Sequence, residues 1–522
     1  MNPPPGYDLL LGIDLGTSAV KVLAVTPQGE VIGRGNAHYE IRWLREGWAE
    51  QEPADWWAAT VSATRAALVD VAAKDATRRR VVALGLSGQV NGVVLLDRRG
   101  NPVRPAVIWL DQRAAPEAGE INRTAADVLA ETALGRVSAV HAAAKLLWLL
   151  RHEPEAMRQA WKAVAPKDAL TWRMAGQAVT DVTDAGATGL LDVRRRRWAD
   201  TLLERLGIPR ELLPEVVESP TVVGHLRPEA AEALGLSPGT PVVAGAGDMA
   251  AITAGTGTIA AGLGCIMIGT AGQIALYMAG QPSAAPEGIW AMTAPVPGGY
   301  FWHGLVMTAG YCLTWLGEVV SRAQASTPAA ATADVGLLAV EAQDAPPGSR
   351  GLLFLPFLDG AATPHADPQA RGAFFGATST HRRADFVRAV MEGVAYNFRD
   401  AFEAFAALGE RAARIRVGGG GARSLLWLQI LADVLATDLD VLEEHDASAL
   451  GAAVIAAVGA GVHADFQTAC RAMVRLRGAV GPDAERRRQY EEYYAIYRQL
   501  YPSTRELAHA LARLTAQASG QG

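Results

Sequence analysis

The feature that most constrains this chain is a small unit that occurs twice. Near the N-terminus an apolar run, Asp8-Leu9-Leu10-Leu11-Gly12-Ile13, ends in Asp14-Leu15-Gly16-Thr17-Ser18, and a second β-rich run from Val20 to Val25 follows at once. In mid-chain the arrangement returns as Cys265 to Ile268, the turn Gly269-Thr270-Ala271-Gly272, and Gln273 to Tyr277. Each copy reads as two short strands joined by a tight turn of small residues. Pro27-Gln28-Gly29 turns the first pair into Val31-Ile32, which makes an antiparallel meander. A chain of 522 residues exceeds what one hydrophobic core supports, so each hairpin is expected to open its own lobe.

Between and after the hairpins the pattern becomes alternating strands and long helices, the signature of an α/β protein. Pro53 opens a helical stretch to about Ala73, Val81 to Leu86 reads as a strand, and Ser87 to Gly92 as a loop. Further helices are expected at Ala142 to His152 and Lys167 to Met174. A strand at Pro241 to Ala244 ends in Gly245-Ala246-Gly247-Asp248 and runs into an apolar helix. Helices near Thr308 to Arg322 and Arg382 to Phe405 follow, the latter with Phe386, Val390, Val394, Phe398, Phe402 and Phe405 at helical spacing. Ile415 to Val417 reads as a strand meeting four glycines, Gly418 to Gly421, before a helix from about Ala422 to Ala436. Tyr490, Tyr494, Tyr497 and Tyr501 form one stripe of a C-terminal helix over 482–501, read as a clamp on a neighbouring surface. The Ala/Thr/Pro-rich stretch from Ala323 to Ala333 reads as a surface loop.

Several function classes drop out. A net charge of −6 offers no basic footprint, so no nucleic-acid partner is expected. The run Arg194 to Arg197 is followed by Trp198, Ala199 and Asp200 and reads as a solvated turn. Three cysteines, Cys265, Cys312 and Cys470, are scattered and odd in number, which argues against a disulfide framework and a zinc site and fits a cytoplasmic setting. Met1 to Tyr7 lacks the layout of a signal peptide, and the longest apolar candidate, Ile259 to Leu276, is interrupted by glycines and polar residues. No membrane partner is expected.

The glycine turns carry chemistry as well as shape. Backbone N–H groups in small-residue turns hold phosphates at close range. No Gly-x-x-x-x-Gly-Lys-Ser/Thr sequence occurs, which removes a P-loop, and Gly255-Thr-Gly257 lies after a helix, where a dinucleotide fingerprint would not sit. In the two hairpin turns glycine allows close backbone approach, and Thr17, Ser18 and Thr270 supply hydroxyls. Either turn alone is ordinary hairpin chemistry; two, each opening a lobe, suit a cleft that grips phosphates from both sides. Asp14 reads either as a turn residue or as a Mg²⁺ ligand. Asp248 reads either as a helix N-cap or as a general base that accepts a hydroxyl proton during phosphoryl transfer. Lys21, on the strand after the first turn, reads either as solvated or as a counter-charge to phosphate.

Together these residues resemble the FGGY family of carbohydrate kinases, and within it the xylulokinase branch. Gly12-Ile-Asp-Leu-Gly-Thr-Ser18 with Val20-Lys21 looks like the branch's first phosphate motif, and Trp48 to Trp57 like its next block. Leu353 to Gly376, with Thr363-Pro364-His365, resembles the segment before the family's second signature, which Asp385-Phe386 and Ala389 to Glu392 continue. Gly419-Gly-Gly-Ala-Arg-Ser424 looks like its adenosine-side loop. The resemblance implies a two-domain, actin-like (ribonuclease-H-like) ATPase fold with an interdomain cleft. It implies an N-terminal domain over 8–253 and a C-terminal domain over 254–480. ATP and Mg²⁺ would be the cofactors. Asp248 would be the catalytic base, and Asp14 and Asp248 the metal-side carboxylates. Gly16, Thr17, Ser18, Lys21, Gly269, Thr270, Gly272, Gly419, Gly420, Gly421 and Ser424 would bind ATP. Val90, Asn91, Trp109, Asp111, Asp248 and Met249 would bind the sugar.

The implied reaction moves the γ-phosphoryl group of MgATP to a hydroxyl of a small sugar, with a ketopentose such as D-xylulose foremost. Ribulose, erythritol and gluconate are the alternatives, followed by an actin- or Hsp70-like ATPase and a non-catalytic sugar sensor. Xylulokinases typically carry Met-His where this chain has Val90-Asn91, and Asp-Asn where it has Asp248-Met249. Both exchanges fall at implied sugar contacts, where a hydrogen-bonding site discriminates strongly. Lys145-Leu-Leu-Trp-Leu fits the second half of the first family signature, whereas Val140 and Ala142 depart from its first half. A homodimer is compatible with the sequence, though no residue demands one.

Overall fold

The computed structural model describes the chain except residues 1–7, 75–79, 133–134, 283–284, 323–334 and 520–522. The stretch read as a surface loop from Ala323 to Ala333 lies outside the described residues.

The first sheet grows from the N-terminal meander. Strands β1 (Asp8–Leu15), β2 (Ala19–Val25) and β3 (Val31–His38) pair antiparallel in sequence order. On the other side of β1 lie β4 (Arg80–Gly88) and β6 (Pro241–Gly247), both parallel to their neighbours, and then the antiparallel edge strand β5 (Val222–His225). The sheet order is β5-β6-β4-β1-β2-β3. Strands buried on both faces read as continuous apolar runs, which is why Leu9 to Ile13 carries no alternation. Helix α1 (Pro53–Lys74) covers β3, with Trp56, Ala63 and Ala67 buried against it.

The second sheet repeats the plan. Strands β7 (Leu263–Ile268), β8 (Gly272–Tyr277) and β10 (Tyr300–Val306) form an antiparallel meander, with β9 (Trp290–Thr293) outside β10. Parallel strands β11 (Arg414–Gly418) and β12 (Leu439–Leu442) extend it past β7, and antiparallel β13 (Leu476–Val480) closes the edge. The duplicated hairpin of the sequence thus heads a duplicated topology. Helix α5 (Arg383–Ala407) seats Val390, Val394, Phe398 and Phe405 in the core of this lobe, as their spacing predicts.

Where the lobes meet, helix α4 (Asp248–Thr256) leaves β6, and helix α7 (Ala447–Gly459) lies on β1, β4 and α4. Helix α7 is Ala- and Gly-rich and buried nearly all round, so its backbone approaches its neighbours without side chains between them. A Cβ on Gly12 would stand 1.8 Å from the Ala449 carbonyl oxygen, and one on Gly451 1.8 Å from that of Ala251. Only glycine fits at either place.

Helix α8 (Ala484–Ser519) runs beyond the expected end at Tyr501, through Pro502. Its Tyr490, Tyr494, Tyr497 and Tyr501 are buried against the second lobe, with hydroxyl bonds from Tyr494 to Asp400 and from Tyr501 to Asp367, both 2.6 Å. The helix after the four glycines also starts later than expected. Gly420–Arg423 form a 3₁₀ turn, and α6 (Leu425–Leu435) begins when the Ser424 side chain accepts a bond from the Trp427 N–H. Of the basic run, Arg194, Arg195 and Arg197 are exposed, whereas Arg196 is folded inward. It pairs with Glu218 at 2.7 Å and donates to the Gly299 and Ala294 carbonyls. All three cysteines are buried and free, and no described helix is long and apolar enough to cross a membrane.

Candidate active site

Asp14, Ser87 and Ala246 occupy one level of three neighbouring parallel strands, since Asp14 pairs with Ser87 across β1 and β4, and Ser87 with Ala246 across β4 and β6. Asp248 follows Ala246 by two residues, at the first position of α4. Two strand spacings, roughly 10 Å, therefore separate the backbone ends that carry the two aspartates. Parallel strands present their carboxyl ends to ligands in this way. The two carboxylates feel one another. Burial raises Asp248 from an ordinary 3.8 to about 7, and the charge of Asp14 adds to the rise, against a bond from the Met249 N–H. Burial also raises Asp14, against the lowering effects of Ser448, Lys21 and Ser87.

One oxygen of Asp14 is held by hydroxyls. Ser448 donates to Oδ1 at 3.0 Å and Ser87 at 3.3 Å, and the two serine oxygens lie 2.6 Å apart. Ser448 comes from the first turn of α7, so both β4 and the helix between the lobes orient this carboxylate. With Oδ1 so held, Oδ2 is left as a hard oxygen donor, and a second carboxylate stands within electrostatic range. A donor set of this kind suits Mg²⁺, which takes one or two carboxylates and keeps several waters.

The first glycine turn has its carbonyls tied back into the lobe. The Gly16 oxygen accepts from the Tyr39 hydroxyl, the Thr17 oxygen from Gln51 Nε2 at 2.7 Å, and the Ser18 oxygen from the Tyr39 N–H at 3.1 Å. Gly16 N–H closes the turn on Ala19 O at 3.0 Å, which leaves Thr17 and Ser18 with N–H groups and hydroxyls as their polar resources. The second turn follows the same rule: Gly269 O accepts from Gly310 N, and Thr270 O from Ala309 N, both at 2.9 Å. Gly269 and Thr270 are exposed, and Gly272 is buried against Phe398. The third loop adjoins the second. Gly419 has φ +81°, and a Cβ there would lie 2.7 Å from the oxygen of Ile268, the last residue of β7. Two glycine loops of the second lobe thus sit side by side.

On the first lobe, β4 runs on through Ser87 and Gly88, where the sequence suggested a loop, and the segment after it is anchored by Gln89, whose N–H donates to Leu15 O at 2.8 Å and whose Nε2 donates to Gln51 Oε1 at 2.9 Å. Val90 lies against Gly247, where a Cβ would approach its Cγ1 to 2.4 Å. Asn91 takes φ +65°, and its Oδ1 is buried with no hydrogen-bond partner among the described residues. The Trp109 indole N–H donates to Thr17 Oγ1 at 2.9 Å, joining a residue expected on the sugar side to one expected on the phosphate side.

Other expected contacts are engaged elsewhere. Both oxygens of Asp111 are taken, by Ala49 N at 2.7 Å and by the Arg113 guanidinium at 2.7 to 2.9 Å, in a fully buried pair. Lys21 pairs with Asp446 at 2.6 Å, Ser424 caps α6, and Met249 packs in the apolar core between the lobes. Sequence reasoning missed Ser448, Tyr39 and Gln51. The signal for Ser448 was a hydroxyl in the first turn of an otherwise small, apolar segment.

Comparisons with known proteins span both lobes. The profile of the FGGY family of carbohydrate kinases, N-terminal domain, matches residues 9–255, and that of its C-terminal domain residues 264–460. The xylulose kinase of Escherichia coli is 34% identical over 494 residues, covering 94% of this chain and 98% of the relative. That of Bacillus subtilis is 32% identical over 504 residues, covering 96% and 98%. Among solved structures, a xylulose kinase from Rhodospirillum rubrum superposes with a TM-score of 0.85 at 28% identity, over 96% of this chain and all of the other.

Proposed function

The chain belongs to the FGGY family of carbohydrate kinases, and from that premise we propose that this ATP-dependent sugar kinase phosphorylates D-xylulose or a ketopentose of the same shape, with Asp248 as its general base. The fold is the family's two-domain, actin-like one. The observation that carries the assignment of the base is the joint placement of Asp14 and Asp248 at the carboxyl ends of parallel strands, near enough for the first to help hold the second at about 7. A carboxylate with that affinity for a proton ionises near neutral pH and is still basic enough to take one.

The acceptor hydroxyl gives its proton to Asp248 as its oxygen bonds to the γ-phosphorus, and the bond from that phosphorus to the β–γ bridging oxygen breaks to release ADP. Thr17 and Ser18 on one side, and Gly269, Thr270 and the Gly419–Gly421 loop on the other, supply N–H and hydroxyl donors to the nucleotide phosphates. Mg²⁺, when bound, neutralises phosphate charge, and Asp14 Oδ2 with Asp248 would hold it. Val90, Asn91 and Trp109 form the acceptor side, and Lys21 sets the position of Asp446 beside the cleft. The division between the lobes falls within or just after α4, and the buried thiols suit a cytoplasmic enzyme.

The test is coupled ADP release across ketopentoses, pentitols, tetritols, glycerol and aldonates. The highest kcat/KM is expected for D-xylulose. A preference for an aldonate or glycerol would overturn the acceptor assignment. Undiminished ADP release without any sugar would overturn the kinase assignment itself.

A further inference from the structure

Strand β6 does not run straight into Asp248. Val243 pairs with Gly85 but Ala246 with Ser87, so β6 carries one extra residue here as a bulge. Gly245 takes φ +77°, and a Cβ on it would lie 1.8 Å from Leu86 O. Such a bulge re-aims the residues beyond it and leaves backbone groups that the ladder no longer satisfies. The Ala244 and Gly245 N–H groups donate to the carbonyls of Thr221 and Ser219, at 2.9 and 3.1 Å, and two further groups are met by side chains. Ala244 O accepts from Lys167 Nζ at 3.0 Å, and Gly247 N–H, next to the proposed base, donates to Thr183 Oγ1 at 2.9 Å.

Behind these two bonds lies a buried charge cluster that the phosphoryl-transfer steps do not use. It stands on two short helices, α2 (Pro166–Ala175) and α3 (Val182–Ala187), and on the residue before the second. Lys167 Nζ is 2.6 Å from Asp168, 3.1 Å from Asp181 and 3.2 Å from Asp184, and all four residues are at least 98% buried. The ammonium group stands among the three carboxylates, within 3.2 Å of each. Asp181 Oδ1 accepts from the Thr183 hydroxyl at 2.5 Å, the Thr183 N–H at 2.8 Å and Ser219 Oγ at 3.2 Å. The hydroxyl hydrogen of Thr183 is thereby committed to Asp181, and its oxygen is oriented to accept from Gly247.

We propose that Lys167, Asp181 and Thr183 are positioning residues for the base: the charge cluster grips the bulge of β6 from behind and fixes the angle at which Asp248 enters the cleft. This rests on the reading of Asp248 as the base. Burying four ionisable groups to hold two backbone groups is costly, and a polar network of this kind gives a unique geometry more than it gives stability. Transfer geometry needs that uniqueness, because a displacement of about 1 Å at a reacting group costs on the order of 10²-fold in rate.

The test uses the full chain and its best acceptor. Thr183→Val keeps the shape of the side chain and removes the acceptor for Gly247 N–H; kcat is expected to fall about 10- to 100-fold while KM for both substrates stays within about threefold. Thr183→Ser, which keeps the hydroxyl, should restore kcat to within about threefold of the parent. Asp181→Ala, which removes the oxygen that accepts from the Thr183 hydroxyl, should reproduce the Thr183→Val defect, and the double variant should be no worse than either single one, because both act through one bond. A Thr183→Val enzyme with parental kcat overturns the proposal even if its thermal stability falls, and additive losses in the double variant overturn the link from cluster to base. Asp248→Asn separates the two readings: if that variant still transfers phosphate, the assignment of the base is wrong, whereas an inactive Asp248→Asn beside a normal Thr183→Val sinks only the positioning role.

Discussion

The proposed base should make the folded protein less stable, and the size of the effect can be worked out. In the unfolded chain Asp248 ionises near its ordinary 3.8, whereas in the folded protein burial, with a contribution from Asp14, holds it to about 7. A group that binds its proton more tightly when folded contributes a penalty that is absent below about pH 4, grows between about pH 4 and 7, and is complete above pH 7. About three tenfold steps in proton affinity, each ~1.4 kcal/mol, put that penalty on the order of 4 kcal/mol. Asp248→Asn removes the charge but keeps the oxygen that accepts from Met249 N–H, 2.7 Å away in the parent. At pH 8 the variant should therefore melt higher than the parent, by roughly 8 °C or more at about 2 °C per kcal/mol for a lobe of this size. At pH 5 most of the difference should be gone. Phosphoryl transfer at pH 8 should fall by at least about 10²-fold in the same variant. Thermal melts of both proteins at pH 5, 6, 7 and 8, with coupled assays alongside, read both quantities. A stability gain that does not change with pH, or a variant that is less stable at pH 8, would refute the reasoning.

Ser448→Ala removes one of the two hydroxyls on Asp14 Oδ1 at a charged acceptor, an interaction worth about 1.5–3 kcal/mol, so the Mg²⁺ concentration for half-maximal activity should rise about tenfold or more. Metal titration at saturating ATP and acceptor checks it. Gly451→Ala places a methyl 1.8 Å from Ala251 O and 2.6 Å from its carbonyl carbon, which forces α4 and α7 apart. A loss of about 3 kcal/mol or more is expected, read as a lower melting temperature together with a fall in kcat, because α4 carries Asp248. Asn91→His should raise the preference for D-xylulose over the other acceptors; an unchanged substrate profile would place this residue outside the pocket.

Much of this architecture is legible in the residues, because the duplicated hairpin imposes two meanders and the stripe of α5 imposes a buried face. Helix α7 is not legible in the same way. Its run of Ala, Gly and Val is apolar on every side, so no period separates an inner face from an outer one, and its contact with Gly12 depends on a fold that brings distant segments together. That is why Ser448 escaped notice while Asp14 did not. Asp111 shows the opposite difficulty. A carboxylate beside Trp109 suggests a polar pocket, yet Arg113, two residues on, engages both its oxygens, and only coordinates decide between a ligand and a neighbour in sequence. The β6 bulge was half visible as Gly245-Ala246-Gly247, but the charged residues that satisfy it lie some seventy positions upstream and carry no local mark.

The bond from the Trp109 indole to Thr17 Oγ1 has a practical consequence. It ties the seat proposed for the incoming alcohol to the bend proposed for the departing nucleotide through a single shared proton. Anyone who re-cuts the alcohol seat by shrinking that ring also sets the bend's hydroxyl loose. Breadth of acceptor choice and grip on the nucleotide should therefore change together in engineered variants, and libraries aimed at the one are best screened for the other.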